Sequence, residues 1–197
     1  TIACGALSGM HAMVSSGTSP KMVEKETQVR MIGYGGMLME SFVAIMALAA
    51  AVSLSPGIYF SMNTSTATMN KIAGPETVAS APCKTTDDPE HHCEKLAEAA
   101  VAKLGVTDAQ GRKLNPEWDS WDDQGNPKTY TGAEALERLA SDVGEPNVVS
   151  RTGGAPTLSV GIAHILHQIG GGRAMMGFWY HFAIMFEALF ILSAVDA

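Results

Sequence analysis

Charge is what most of this sequence lacks. Of its 197 residues only 33 are Asp, Glu, Lys or Arg, and nine basic and fifteen acidic ones fall between Ser61 and Gly154. The basic residues are scattered and interleaved with acids, with no Lys/Arg stripe beside an aromatic platform, which excludes nucleic acid as a partner. Three cysteines, Cys4, Cys83 and Cys93, are too few for a disulfide scaffold. No nucleotide loop, nucleophile elbow or zinc-protease motif occurs. Gly170 to Gly172, followed by Arg173, lacks the preceding strand and the Lys-Ser/Thr pair that cradle a phosphate. An ATP-driven pump within this chain, an enzyme and a bound cofactor are therefore not expected.

What is there is apolar sequence at both ends around a water-like middle. Met31 to Phe60 carries a single charge, Glu40, and as a continuous helix would rise about 45 Å, more than the ~30 Å of a bilayer core. A span near Ile32 to Leu54 is predicted, closed by Pro56 and Gly57. Gly177 to Val195 is again apolar, interrupted by His181 and Glu187, with the paired aromatics Trp179 and Tyr180 at one end, which suit a headgroup boundary.

These runs set the expected organisation. Residues 1–20 read as a broken or partial membrane helix, 21–30 as a short cytoplasmic loop and 31–60 as a transmembrane helix. Residues 61–154 read as an acidic periplasmic loop domain, 155–176 as a partial, re-entrant or membrane helix, and 177–197 as a transmembrane helix. Lys21, Lys25 and Arg30 place the short loop inside by the excess of Lys and Arg in short cytoplasmic connections. The fold class expected is all-α, a polytopic membrane-protein fragment whose extramembrane loop is mostly helical or irregular. The chain opens on Thr1, and both ends lie in apolar stretches, so an internal piece of a longer protein is expected, with further helices and the lipid bilayer as its partners.

Within the loop, amphipathic helices are predicted at about Pro89 to Leu104, where Leu96, Ala97, Ala100, Val101 and Leu104 share a face, and at Gly132 to Val143. Asp123 to Pro127 reads as a turn. In Thr157 to Gly172 a helix would set Leu158, Ile162, Ile165 and Ile169 on an apolar stripe beside a polar one of Thr157, Gly161, His164 and Gln168, which should face protein or water.

Candidate functional residues follow from cost. A carboxylate inside a membrane span costs several kcal/mol unless protonated, paired or facing a cavity. Glu40 shares its helix side with Gly33, Gly36, Ala44, Ala47 and Ala51, a small-residue face suited to close helix packing. It reads either as a proton or coupling-ion site or as an interfacial residue that snorkels. Glu187 has Tyr180 two turns earlier on its side, and the pair reads as a proton or substrate site or as interhelical hydrogen bonding. Asp196 sits where the span ends. The uncharged run with Ser8, Gly9 and His11 reads as a close-packing motif at Gly5 and Gly9 or as an unwound helix that coordinates a substrate. The run CKTTDDPEHHC is wrong for zinc spacing, leaving a Cys83–Cys93 disulfide or free thiols. His164 and His167 read as packing or pore-lining residues, and no metal site is expected.

The wording of GALSGMHAMVSSGTSPK, of RMIGYGGMLMESFVAIMALAAA with SPGIYF, and of FWYHFAIMFEALFILSAVDA resembles the carbon starvation protein A (CstA) family, apart from Met10 where that family usually has an aromatic. The resemblance implies a multi-pass protein of the bacterial inner membrane, made under nutrient limitation and linked to peptide uptake or to proton-linked pyruvate uptake. It also implies a distant kinship with transporters built from broken helices and inverted repeats. On it, Ser8, His11, Glu40, Tyr180, His181, Glu187 and Asp196 are candidates for a substrate or proton path, and the proton is the expected coupling ion. A membrane receptor that uses the acidic loop as its ligand-binding module is the competing expectation, and a metalloenzyme built on the histidines a third.

Overall fold

The first apolar run folds as one helix up to the residues that cannot continue it. The computed structural model describes residues 16–17, 19–74, 92–104, 107, 110–111, 114–122, 124–152, 154–170 and 172–195. After a single turn, α1 (Ser19–Met22), helix α2 runs Glu26–Ser53. It starts inside the stretch expected as a cytoplasmic loop, so Arg30 is helical. Pro56 has no N–H to extend the ladder, and the chain turns into α3 (Pro56–Asn63), whose direction differs from that of Ala44–Ser53 by 112°.

Ser55 fixes that turn. Its extended backbone (φ −62°, ψ 143°) lets Oγ accept from the Ile58 N–H at 3.4 Å and from the Glu117 N–H at 3.1 Å, so one hydroxyl caps α3 and ties it to the start of the hairpin. Ser55→Ala should lower stability by about 1 kcal/mol, the usual worth of such a cap. An unchanged thermal midpoint of the purified protein would show that this hydroxyl holds neither element.

The chain divides into two compact units, residues 1–46 with 186–197 and residues 47–185. In the first, α2 exposes apolar side chains all around its circumference, among them Met31 (81% exposed), Phe42 and Ile45 (65% each). A Cβ built on Gly33, Gly35 or Gly36 would touch nothing. A helix apolar on every side needs a surrounding other than water.

The second unit has a core of its own. Ser65 caps α4 (Thr66–Ala73); α5 (His92–Leu104) packs on α4 and on α6 (Ala133–Val143), and α6 packs on an antiparallel hairpin of β1 (Glu117–Trp121) and β2 (Pro127–Thr131), with Glu117 opposite Thr131 and Trp121 opposite Pro127. α7 (Ala155–Ile169) follows, then a 3-10 turn at Arg173–Met175 and α8 (Met176–Val195). Leu96, Ala97, Ala100 and Val101 of α5 are buried, as expected, whereas Leu104 is 46% exposed. α6 buries Leu136, Leu139, Ala140 and Val143 and ends on Gly144, whose left-handed backbone (φ 77°) lets its N–H bond back to Ala140 and Ser141.

Three differences from the sequence reading stand out. The chain is mostly helical but not all-α. EWDSW alternates exposed Glu117 and Asp119 with buried Trp118 and Ser120, a period of two that only a strand can serve. The Asp122 carboxylate closes the turn by accepting from the N–H groups of Gln124 and Asn126, at 2.9 and 2.8 Å. Second, residues 61–154 do not close on themselves: the same core contains Leu54, Ile58, Val160, Ala163, Met176 and Tyr180. Third, among the described residues no single helix is long and apolar enough to cross a membrane. Only Ala44–Ser53 and Pro56–Asn63 pass together by length and composition, and they are bent at Leu54–Ser55.

Candidate functional site

α7 is built to be gripped on one side. Its polar stripe does face protein: Thr157 is buried and its hydroxyl accepts from the Asn63 side chain at 2.9 Å, Gly161 lies against the Ala50 backbone, and His164 stacks on Trp118 with ring centroids 4.8 Å apart. Gln168, at the end of the stripe, is exposed, and so is Ile169 of the apolar stripe. His167 is buried, meets Trp121 edge-on at 5.5 Å, and donates from Nδ1 to the Ala163 carbonyl at 3.2 Å.

Behind the tryptophans lies an ion pair that sequence reading missed. Asp142 on α6 accepts from Trp118 Nε1 at 3.0 Å and from the Ser120 hydroxyl, and its carboxylate is 3.5 Å from Arg138 Nε one turn away. Arg138 Nη2 donates to the Trp121 carbonyl at 2.6 Å. One buried carboxylate and one guanidinium thus join helix to hairpin. The signal was present in the i, i+4 spacing of Arg138 and Asp142, but nothing in the sequence tells that this pair faces a strand.

On the outer side of the hairpin, Asp122, Lys128, Tyr130, Glu134, Glu137, Arg138 and Ser141 line an open cleft of about 330 Å³. Lys128 lies 4.2 Å above the Tyr130 ring and 3.2 Å from the Glu134 carboxylate. Hydrogen bonds from Asn126, first its backbone N–H and then its side chain, hold the Asp122 carboxyl below the ordinary carboxylate range. Positive and negative groups thus face one open volume.

Of the residues singled out from sequence, Tyr180 is buried, at 1% exposure, and lies within electrostatic range of Glu145. Glu145 is paired with Arg151 at 2.6 Å, and Arg151 Nε donates to the Asn147 carbonyl at 3.1 Å. The phenol set beside Glu187 by helical spacing is thus a core residue of the second unit. His181 is exposed, and its Nδ1 donates to the Gly177 carbonyl at 2.7 Å. Glu187 lies in the other unit, half-buried, with Oε2 shielded and without a hydrogen-bond partner among the described residues. Glu40 is on α2, but its side chain, like Ser8, His11 and Asp196, lies outside the described residues. Cys93 is disulfide-bonded, and its expected partner Cys83 also lies outside them. Among the described residues no three of His, Cys, Asp and Glu gather where a metal ion would be held.

Comparison with known proteins identifies the chain. A family model described as carbon starvation protein CstA matches residues 1–113 and 119–197. The chain is 48% identical to the peptide transporter CstA of Escherichia coli K12, 47% identical to the pyruvate/proton symporter BtsT of the same organism, and 32% identical to the peptide transporter CstA of Bacillus subtilis 168. Each alignment covers the whole chain but only 22%, 24% and 23% of the relative, so the chain spans less than a quarter of their length. No solved structure matches it. With the family model matched along nearly all of its length, the chain belongs to the carbon starvation protein CstA family.

Proposed function

We propose that this chain is part of a secondary active transporter that takes up peptides or pyruvate together with protons across the bacterial inner membrane. The observation that carries the reading is identity of 47–48% along the whole chain to relatives named as a peptide transporter and as a pyruvate/proton symporter. Physical chemistry agrees with it. The part of α2 within the first unit exposes apolar side chains from Met31 to Met46, whereas Ala50 further on is buried in the second unit; the exposed part suits lipid and neighbouring helices. Glu40 and Glu187 stand in the least charged parts of the sequence, where ionisation is expensive and proton binding is coupled to whatever changes their surroundings. In this reading residues 31–60 and 177–197 lie in the membrane. α7, which rises about 22 Å over its 15 residues, does not cross it. The acidic segment 61–154 faces the periplasm, and Ser8, His11, His181 and Asp196 line or border the path.

Uptake of labelled pyruvate and of labelled di- and tripeptides by cells making the full-length protein tests this. Accumulation should collapse with a protonophore and should be abolished when Glu40→Gln and Glu187→Gln are combined. Gradient-driven uptake that survives both substitutions would refute the proton mechanism.

One observation favours a second reading, in which the extramembrane segment binds ligand and the protein signals. The mixed-charge cleft below Tyr130 has a volume in the range of small-molecule sites and presents both signs to a zwitterion. Because the core draws on residues outside 61–154, binding has to be measured on the whole protein. Peptide binding without uptake, weakened by Lys128→Ala, would favour the receptor.

A further inference from the structure

His164 and His167 sit three residues apart on α7, with ring centroids 5.3 Å apart. Each ring is covered by a tryptophan of β1: Trp118 over His164, Trp121 against His167. The two tryptophans are themselves fixed from behind, Trp118 through its indole N–H on Asp142 and Trp121 through its carbonyl on Arg138. Two imidazole–indole contacts, one tilted and one edge-on, thus join α7 to the hairpin. His167 spends its Nδ1 proton on Ala163. The Nδ1 of His164 is enclosed and has no hydrogen-bond partner among the described residues.

We propose that His164, clamped beside His167 between α7 and the hairpin by Trp118 and Trp121, is a proton-binding group whose charging releases the hairpin from α7. The arrangement suits two neutral rings. Protonating His164 puts a cation in a half-enclosed position that water does not reach freely, with the His167 ring about 5 Å away. An indole face attracts an imidazolium, which opposes release, whereas burial and the neighbouring His167 disfavour the His164 cation.

Among the described residues, the charged groups around the pair are few. Asp119 of β1 acts on His164 and favours its cation, while His167 disfavours it. α6 presents Asp142, joined to the cluster through the indole of Trp118, and Arg138 paired with that aspartate. α3, which packs on α7, carries no charged side chain, and its titratable group is Tyr59. Burial first and His167 second hold His164 below histidine's ordinary 6.5, with Asp119 pulling the other way. The released arrangement therefore takes up its proton at a higher pH than the closed one. The contact is complete above pH 6.5 and is lost as pH falls below it. Nothing in this depends on whether the protein moves protons across a membrane.

Tryptophan emission reads the event, since an imidazolium beside an indole quenches it. The difference between the full-length protein and its Trp118→Phe form isolates the Trp118 signal, followed from about pH 7.5 to about pH 4.5. That signal should titrate with a midpoint below 6.5, lose the transition in His164→Gln, and shift its midpoint upward in His167→Gln. A Trp118 signal that does not titrate, or one that titrates unchanged in both variants, overturns the proposal. Should either variant fail to fold, deuterium uptake by the amides of Glu117–Trp121 and Pro127–Thr131 in the unsubstituted protein decides. After correction for intrinsic exchange, uptake that rises as pH falls supports release, and uptake independent of pH overturns it.

Discussion

Asp142→Ala is expected to destabilise the protein by about 3 to 5 kcal/mol, the cost of breaking a buried ion pair from one side. The side chain of Asp142 is 1% exposed and that of Arg138 15%, so alanine leaves a guanidinium short of its counter-charge in a place poor in water. It also leaves the Trp118 indole N–H and the Ser120 hydroxyl without the carboxylate that accepts from both. Each orphaned donor adds a desolvation cost of roughly 1 to 3 kcal/mol, although the remaining bond from Arg138 to the Trp121 carbonyl offsets part of it. Asp142→Asn keeps an acceptor and removes only the charge, so about 1 to 2 kcal/mol is expected. Pairing Asp142→Ala with Arg138→Leu removes the stranded charge and should recover part of the loss. Thermal unfolding of the detergent-solubilised protein measures all three. If Asp142→Ala unfolded at the wild-type midpoint, the hairpin would not be anchored through this carboxylate.

That anchor shows where sequence legibility ends. The helices around it were readable because their signals are local. Leu136, Leu139, Ala140 and Val143 recur at helical spacing, and Gly144 stops the run where a left-handed residue is needed. The buried face of α5 was readable for the same reason. The hairpin was not. Five residues of alternating burial, with the acids Glu117 and Asp119 exposed and Trp118 and Ser120 buried, are too short to stand out against an acidic loop. The turn between the strands was seen, but not what it joined. Contacts across the chain were beyond reach altogether: spacing put Tyr180 beside Glu187, while tertiary packing placed its ring in the core of the second unit. His164 and His167 were assigned to packing or a pore because no carboxylate lies near them in sequence, and β1 then brings Asp119 within electrostatic range.

Glycine supplies the sharpest case, because the structure reverses the reason for its presence. Gly57 reads in the sequence as a residue that relaxes the backbone where a helix ends, yet it is the second residue of α3. There alanine has the better intrinsic propensity, by up to about 1 kcal/mol in a helix interior. On propensity alone, Gly57→Ala should stabilise. A Cβ at this position would instead lie 2.6 Å from the Asn115 carbonyl carbon and 2.7 Å from Pro116 Cα, both main-chain atoms that no rotamer change can move aside. Gly161 on α7 is in the same situation, with a Cβ 2.5 Å from the Ala50 carbonyl oxygen and 2.7 Å from Ala50 Cβ. Overpacking of this kind costs roughly 1 to 3 kcal/mol or more, so both Gly57→Ala and Gly161→Ala should lower the thermal midpoint, with Gly161→Val lowering it further. Ala50→Gly separates the causes at the second position. It removes the obstructing methyl but leaves the carbonyl, so it should rescue Gly161→Ala only in part, and rescue it not at all if the carbonyl is the whole obstacle. A Gly57→Ala protein more stable than the wild type would mean that α3 and the segment before β1 have room to separate, and that propensity outweighs the contact after all.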